Sequence, residues 1–149
     1  MEVTTFIFSI ISILLAIGSA IFSFHVRKQT VIHDKNQATL EAINVLQVQV
    51  FDELYNYTNS KISEISQNNR SEEFKKITKL MARIEHFSVG VNSDIYSLEI
   101  TKRLAGRHFC ASYEKLLPMI ENKRKALKND KHYDEFEKLV ERLNKLYEK

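Results

Sequence analysis

Arg103 and His108 close the two ends of the run Arg103-Leu104-Ala105-Gly106-Arg107-His108. A guanidinium and an imidazole at this spacing suit phosphodiester cleavage, with His108 as acid–base catalyst and Arg103 steadying the phosphate. The signal is weak, because Arg27 and His33 stand at a similar spacing elsewhere in the chain. His108 also lies one residue from Cys110, with Glu85 and His86 further back. A zinc site takes about four ligands with recognisable pair spacing. With a single cysteine and no such pairs, the sequence predicts no metal and no cofactor. Cys110 reads as a small buried hydrophobe rather than a nucleophile. There is no glycine-rich phosphate loop and no nucleophile elbow. The absence of catalytic spacing weighs toward a non-enzymatic role.

Two further polar groups stand out. Glu85 falls on an otherwise apolar helical stretch, and we expect it to pair with Arg103 or Arg107 and fix the helix register. Lys123, Arg124, Lys125 and Lys128 cluster ahead of the last helix. They read as solvated helix ends, or as contacts to phosphate-bearing partners such as lipid headgroups or RNA. A net charge of only +3, and no aromatic residues interleaved with these lysines, argue against nucleic acid.

The elements that must carry these residues are helices. Apart from Gly18, the 149-residue chain has only Gly90, Gly106 and Pro118 as strong breakers, so it reads as all-α. We expect residues 1–26 to form a short N-terminus and a transmembrane helix, 27–70 a long juxtamembrane amphipathic helix, and 71–149 a small helical bundle, with 27–149 as one folded unit. From Val3 to Val26 there is no acidic residue, lysine or arginine. About 20 apolar residues at 1.5 Å rise span a hydrocarbon core of about 30 Å. Insertion of the Ile, Leu and Phe residues between Phe6 and Phe24 is favourable by about 4–7 kcal/mol in total. A cleaved secretory leader would want a basic start and a shorter apolar core.

Arg27, Lys28 and Lys35 follow the span and nothing basic precedes it. The positive-inside rule then places the N-terminus outside a cell membrane and the rest of the single-pass chain in the cytosol, with these cations at the headgroups. Ser12, Ala16 and Ala20 form a small-residue stripe along which two such helices would associate.

Beyond the span, Ile43, Leu46, Val50, Leu54, Tyr57, Ile62 and Ile65 recur at helical spacing, and we expect one helix to run on to about Gln67. Ser71 reads as the N-cap of the next helix, with Glu72 and Glu73 in its first turn. We expect Gly90 to end that helix, a short helix over about 95–105 closed by Gly106, and a further helix disturbed at Pro118. A last helix capped by Asp130 carries Phe136, Leu139, Val140 and Leu143.

The stretch from Met81 to Lys125, with Glu85 and Gly90 at the end of an apolar helix, Tyr96 on a short helix, and Glu114, Pro118 and Arg124 on a late one, resembles a bacterial family of membrane-anchored proteins, domain of unknown function 4760. Where that pattern carries a glycine before the tyrosine, this chain has Asp94. The resemblance implies an anchor followed by helices and no established activity; its bacterial and phage setting suggests defence or exclusion. The expectation is therefore a membrane-tethered, non-enzymatic helical interaction module at the cytosolic face of a bacterial membrane. It would self-associate and meet a cytosolic protein partner. The alternatives are a ribonuclease similar to the HEPN type using Arg103 and His108, although that type carries a polar residue where Leu104 stands, and a membrane-perturbing effector.

Overall fold

The Ser71 hydroxyl accepts the Phe74 amide at 3.0 Å, with Ser71 itself extended and Glu72 and Glu73 in the first turn behind it. This satisfies one of the orphan N–H groups at a helix start and places negative charge at the positive end of the dipole. In the computed structural model, which describes the backbone of residues 2–148 and the side chains of 14–148, that helix is the fourth of six. In chain order they are α1 (Glu2–Leu46), a π-helical turn (Gln47–Phe51), α2 (Asp52–Tyr55), α3 (Asn59–Ser66), α4 (Glu72–Asn92), α5 (Leu98–Leu127) and α6 (Asp134–Tyr147). The chain is all-helical, with no strand among the described residues.

Two compact units can be separated, Met1–Lys35 and Asn36–Lys149. In the first, every described side chain before Lys35 is exposed. Leu14, Leu15, Ile17, Ile21, Phe22, Phe24 and Val26 are all exposed. Among the described residues no helix is long and apolar enough to cross a membrane. The side chains of residues 3–13 of the expected span, Ser12 of the small-residue stripe included, lie outside those described.

The second unit holds the core. Ile77, Met81 and Ile84 of α4, Phe109, Leu116 and Ile120 of α5, and Phe136, Leu139 and Leu143 of α6 are fully buried. They bring α4 against α6 and α5 against α6, while α3 lies on α5. A chain of aromatic rings runs through the middle. Phe109 packs on Phe51, Phe87 and Phe136, with ring centroids 5.1, 5.3 and 6.3 Å away.

Several element boundaries differ from the expectation. The run beyond the first unit does not continue unbroken to Gln67. At Gln47–Phe51 the backbone widens, and the Asp52 amide bonds to the Gln47 carbonyl. Val50 and Phe51 are both buried in this turn. A true break follows at 56–58, where the Thr58 hydroxyl accepts the Lys61 amide at 3.2 Å and starts α3.

The glycines do not end helices. α4 runs through Gly90 to Asn92, and the turn falls at Asp94 with φ 62°. The two helices expected around Gly106 and Pro118 are one, α5, with both residues inside it. Pro118 removes a donor, yet the helix continues for nine more residues to Leu127. Asp130 is not the cap of α6, which begins at Asp134 after Tyr133 at φ 64°.

Candidate functional site

Polar side chains of the second unit are largely engaged in closing helix ends, where four carbonyls or four amides otherwise lack partners. Lys115 of α5 donates to the carbonyls of Leu54 and Tyr57 at the end of α2, at 3.1 and 2.8 Å. Asn122 donates to the Ser66 carbonyl at the end of α3, and Lys102 to Leu146 at the end of α6, 2.6 Å away. Cations at C-termini also meet the negative end of the dipole. Thr39 of α1 accepts the Ser97 amide at 2.8 Å, just ahead of α5. None of these four side chains was singled out from the sequence, because a cap supplied by another helix has no local spacing signal.

Glu85, which the sequence did single out, also closes a helix end. It does not reach Arg103 or Arg107. Its carboxylate accepts the amides of Glu135 and Phe136, at 3.2 and 2.8 Å, and so caps the start of α6. No side chain of α6's own flank does this. Burial pushes the Glu85 carboxyl up from its ordinary value, against the pull of those two amides. Beside it, Asn92 donates to the Glu135 carbonyl and carboxylate and accepts from Arg142.

The lysine cluster is similarly divided. Arg124 pairs with Glu137 at 2.6 Å and donates to the His132 carbonyl at 2.9 Å, tying the end of α5 to α6. The guanidinium holds Glu137 below the usual carboxylate range. Lys123 lies over the Phe74 ring, 4.9 Å from its centroid. Lys125 and Lys128 are exposed, and Lys128 adopts φ 50° to end α5.

Cys110 is half-buried, donates to the Asn144 side chain at 3.3 Å, and has its thiol pushed up by burial. A raised thiol is a poor nucleophile at neutral pH. Among the described residues no three His, Cys, Asp or Glu side chains gather as metal ligands.

Two of the surface hollows bear on function. Arg103, Leu104, Arg107 and His108 line one of about 410 Å³, with Lys102, Gly106 and Tyr147. The arginine and histidine picked out by spacing therefore share a surface. His108 is stacked on Phe51, centroids 5.5 Å apart. The idle ring nitrogen of an acid–base histidine is commonly held by a hydrogen bond to a carbonyl or carboxylate, and among the described residues none reaches His108.

The larger hollow is a groove of about 700 Å³ between the end of α1 and α4. Ala38, Ala42 and Val45 form one wall, Ala82, Arg83, His86 and Phe87 the other, and Tyr96 one end. Arg83 donates to Gln49 across it at 2.7 Å. The groove as such escaped the sequence reading, although His86 and Tyr96 were named there for other reasons. The signal was there: Ala38, Ala42, Val45 and Gln49 repeat at four-three-four spacing, one step round from the core stripe.

The family model described as "Domain of unknown function (DUF4760)" matches residues 10–143. The chain belongs to this family. No curated protein and no solved structure matches it. The DUF4760 match takes in the whole groove and, Tyr147 apart, the lining of the smaller hollow, together with the helix-closing side chains just described, so the bundle is the body of the family's domain and not an addition to it.

Proposed function

We propose that this DUF4760 chain is a membrane-tethered, non-enzymatic helical interaction module, its bundle held at the cytosolic face by the segment around Val3–Val26. One observation carries the reading. Leu14, Leu15, Ile17, Ile21, Phe22, Phe24 and Val26 stand on one helix, each between 46% and 72% exposed. Apolar surface costs about 25 cal/mol per Å² in water, and a contiguous face of this kind is a binding surface for lipid or protein. The charge-free stretch beginning at Val3 and the cations Arg27, Lys28 and Lys35 after it favour lipid. The apolar groove of the second unit is then the surface on which the tethered bundle meets its partner.

The test is membrane retention. The full chain should stay with membranes through an alkaline wash, and Ile17→Lys with Ile21→Lys should release it. Recovery of the unaltered chain in the soluble fraction would sink the reading.

A second reading is favoured by the shared hollow of Arg103, Arg107 and His108: phosphodiester cleavage with His108 moving protons. RNA cleavage by the purified full chain that vanishes in His108→Ala would establish it, and no cleavage by the unaltered chain would end it.

A further inference from the structure

The groove between α1 and α4 has walls of opposite charge. Glu41 lines the α1 side and Arg83 the α4 side. Glu41 is exposed and contacts only Gln37, at 3.1 Å. Arg83 contacts only Gln49. Among the described residues neither has an oppositely charged partner. Between them the floor is apolar, with Leu46, Val50 and Phe87 behind Ala42 and Val45. Val45, an apolar residue of the α1 wall, is 53% exposed. Ala38, Ala42 and Ala82 keep the walls low, which allows a helix to approach closely.

A surface with a negative wall, an apolar floor and a positive wall is complementary to itself under a two-fold rotation. Isologous contacts have this property: residue i meets j, and j meets i. We propose that the groove seats a second copy of this chain, with Glu41 of each copy against Arg83 of the partner subunit and the two Val45 faces buried between them. The inference deepens the reading of the chain as an interaction module by naming its partner. It does not depend on the tether. Rim charges placed in this way set partner choice and orientation, while the apolar centre supplies affinity.

The experiment uses the full chain with Cys110→Ser as background. Val45→Cys should give a cross-linked species of twice the chain mass under mild oxidation, while Glu121→Cys, at an exposed position of α5 outside the groove, should not. Glu41→Arg alone, or Arg83→Glu alone, should cut the Val45 cross-link about tenfold by setting like charges together. The double exchange Glu41→Arg/Arg83→Glu should restore it. Both sites are on the surface, so circular dichroism should report unchanged helix content in all three. No cross-link at Val45, a product of another mass, or a double exchange that stays as weak as the single changes would each overturn the proposal. Loss of the cross-link with membrane retention intact removes this inference and leaves the tether standing; release from membranes with the cross-link intact does the reverse.

Discussion

The Glu85 carboxylate receives the Phe136 amide at 2.8 Å, fifty-one positions further along the chain. The helix that begins at Asp134 therefore has its N-terminal cap on α4 and not in its own sequence. Replacing Glu85 with Ala should lower stability by about 1–2 kcal/mol, the usual cost of a lost N-cap, while Glu85→Gln should lose less because an amide oxygen still accepts. Urea denaturation of the full chain in detergent micelles, followed by circular dichroism, reads both. Equal midpoints for Glu85→Ala and the unaltered chain would contradict the capping role.

Gly90 and Gly106, the two helical glycines of the second unit, should respond differently to alanine. A Cβ on Gly90 would come within 2.5 and 2.6 Å of two ring carbons of Tyr96, which is stacked on Phe87 at 5.0 Å. Gly→Ala in a helix gains about 1 kcal/mol, but overpacking a filled site costs about 1–3 kcal/mol, so Gly90→Ala should destabilise. At Gly106 the clash is with the hydroxyl end of Tyr147 near the end of the last helix. That ring can swing aside at the loss of its hydrogen bond to the Lys102 carbonyl. Gly106→Ala should therefore be close to neutral in the same denaturation series.

Lys128 ends α5 in the left-handed region, φ 50°, and is exposed. A non-glycine residue there is strained by about 1–2 kcal/mol. Lys128→Gly should raise the unfolding midpoint by the equivalent of about 1 kcal/mol, after part of the gain is returned to the greater freedom of the unfolded chain. A lower midpoint would mean that the Lys128 side chain makes a stabilising contact.

Acid should weaken the α5–α6 connection. His132 is depressed by burial first and then by Lys123 and Arg124. A depressed histidine contributes stability above its unfolded value, about 6.5, and loses it as the pH falls through the folded value. Glu137, held down by Arg124, follows the same sign at lower pH, starting from about 4.3. Glu85, pushed up by burial, has the opposite sign and offsets part of that lower limb. The histidine limb is thus the cleaner one. Thermal midpoints measured down from neutral pH should fall first below about 6.5, and His132→Gln should flatten that first fall.

Phe109 is the ring on which Phe51, Phe87 and Phe136 converge, and it is fully buried. Phe109→Ala should cost about 3–5 kcal/mol, a large share of the 5–15 kcal/mol that holds a domain together. Loss of cooperative unfolding in the full chain is the expected readout.

The apolar stripes and the Ser71 cap were legible in the sequence because each is a local pattern: helical spacing, or a hydroxyl three residues before the amide it accepts. The helix ends were not. Glycine and proline were read as punctuation, yet Gly90 and Gly106 lie inside helices to admit Tyr96 and Tyr147, and the left-handed turns fall on Asp94, Lys128 and Tyr133. Asp94 stands where the family pattern carries a glycine, but nothing local marks Lys128 or Tyr133. The candidate site divides in the same way. The sequence picked out Glu85 and Arg124 by charge, but their partners lie on α6, and which of many charges faces them is decided only by packing. The groove's own repeat, Ala38, Ala42, Val45 and Gln49, is masked by the more apolar core stripe one step round the same helix.

The wide turn at Gln47–Phe51 sets a condition on chain length. Removing one residue there and restoring a regular helix would rotate everything before Gln47 by about 100° and draw it in by about 1.5 Å. Thr39 would leave Ser97, and Ala42 would leave the groove, while Asp52 onward would be undisturbed. A relative lacking the extra residue must therefore shift its inward-facing positions by one before the turn and keep them after it. Such a phase slip is countable in any related chain without a structure.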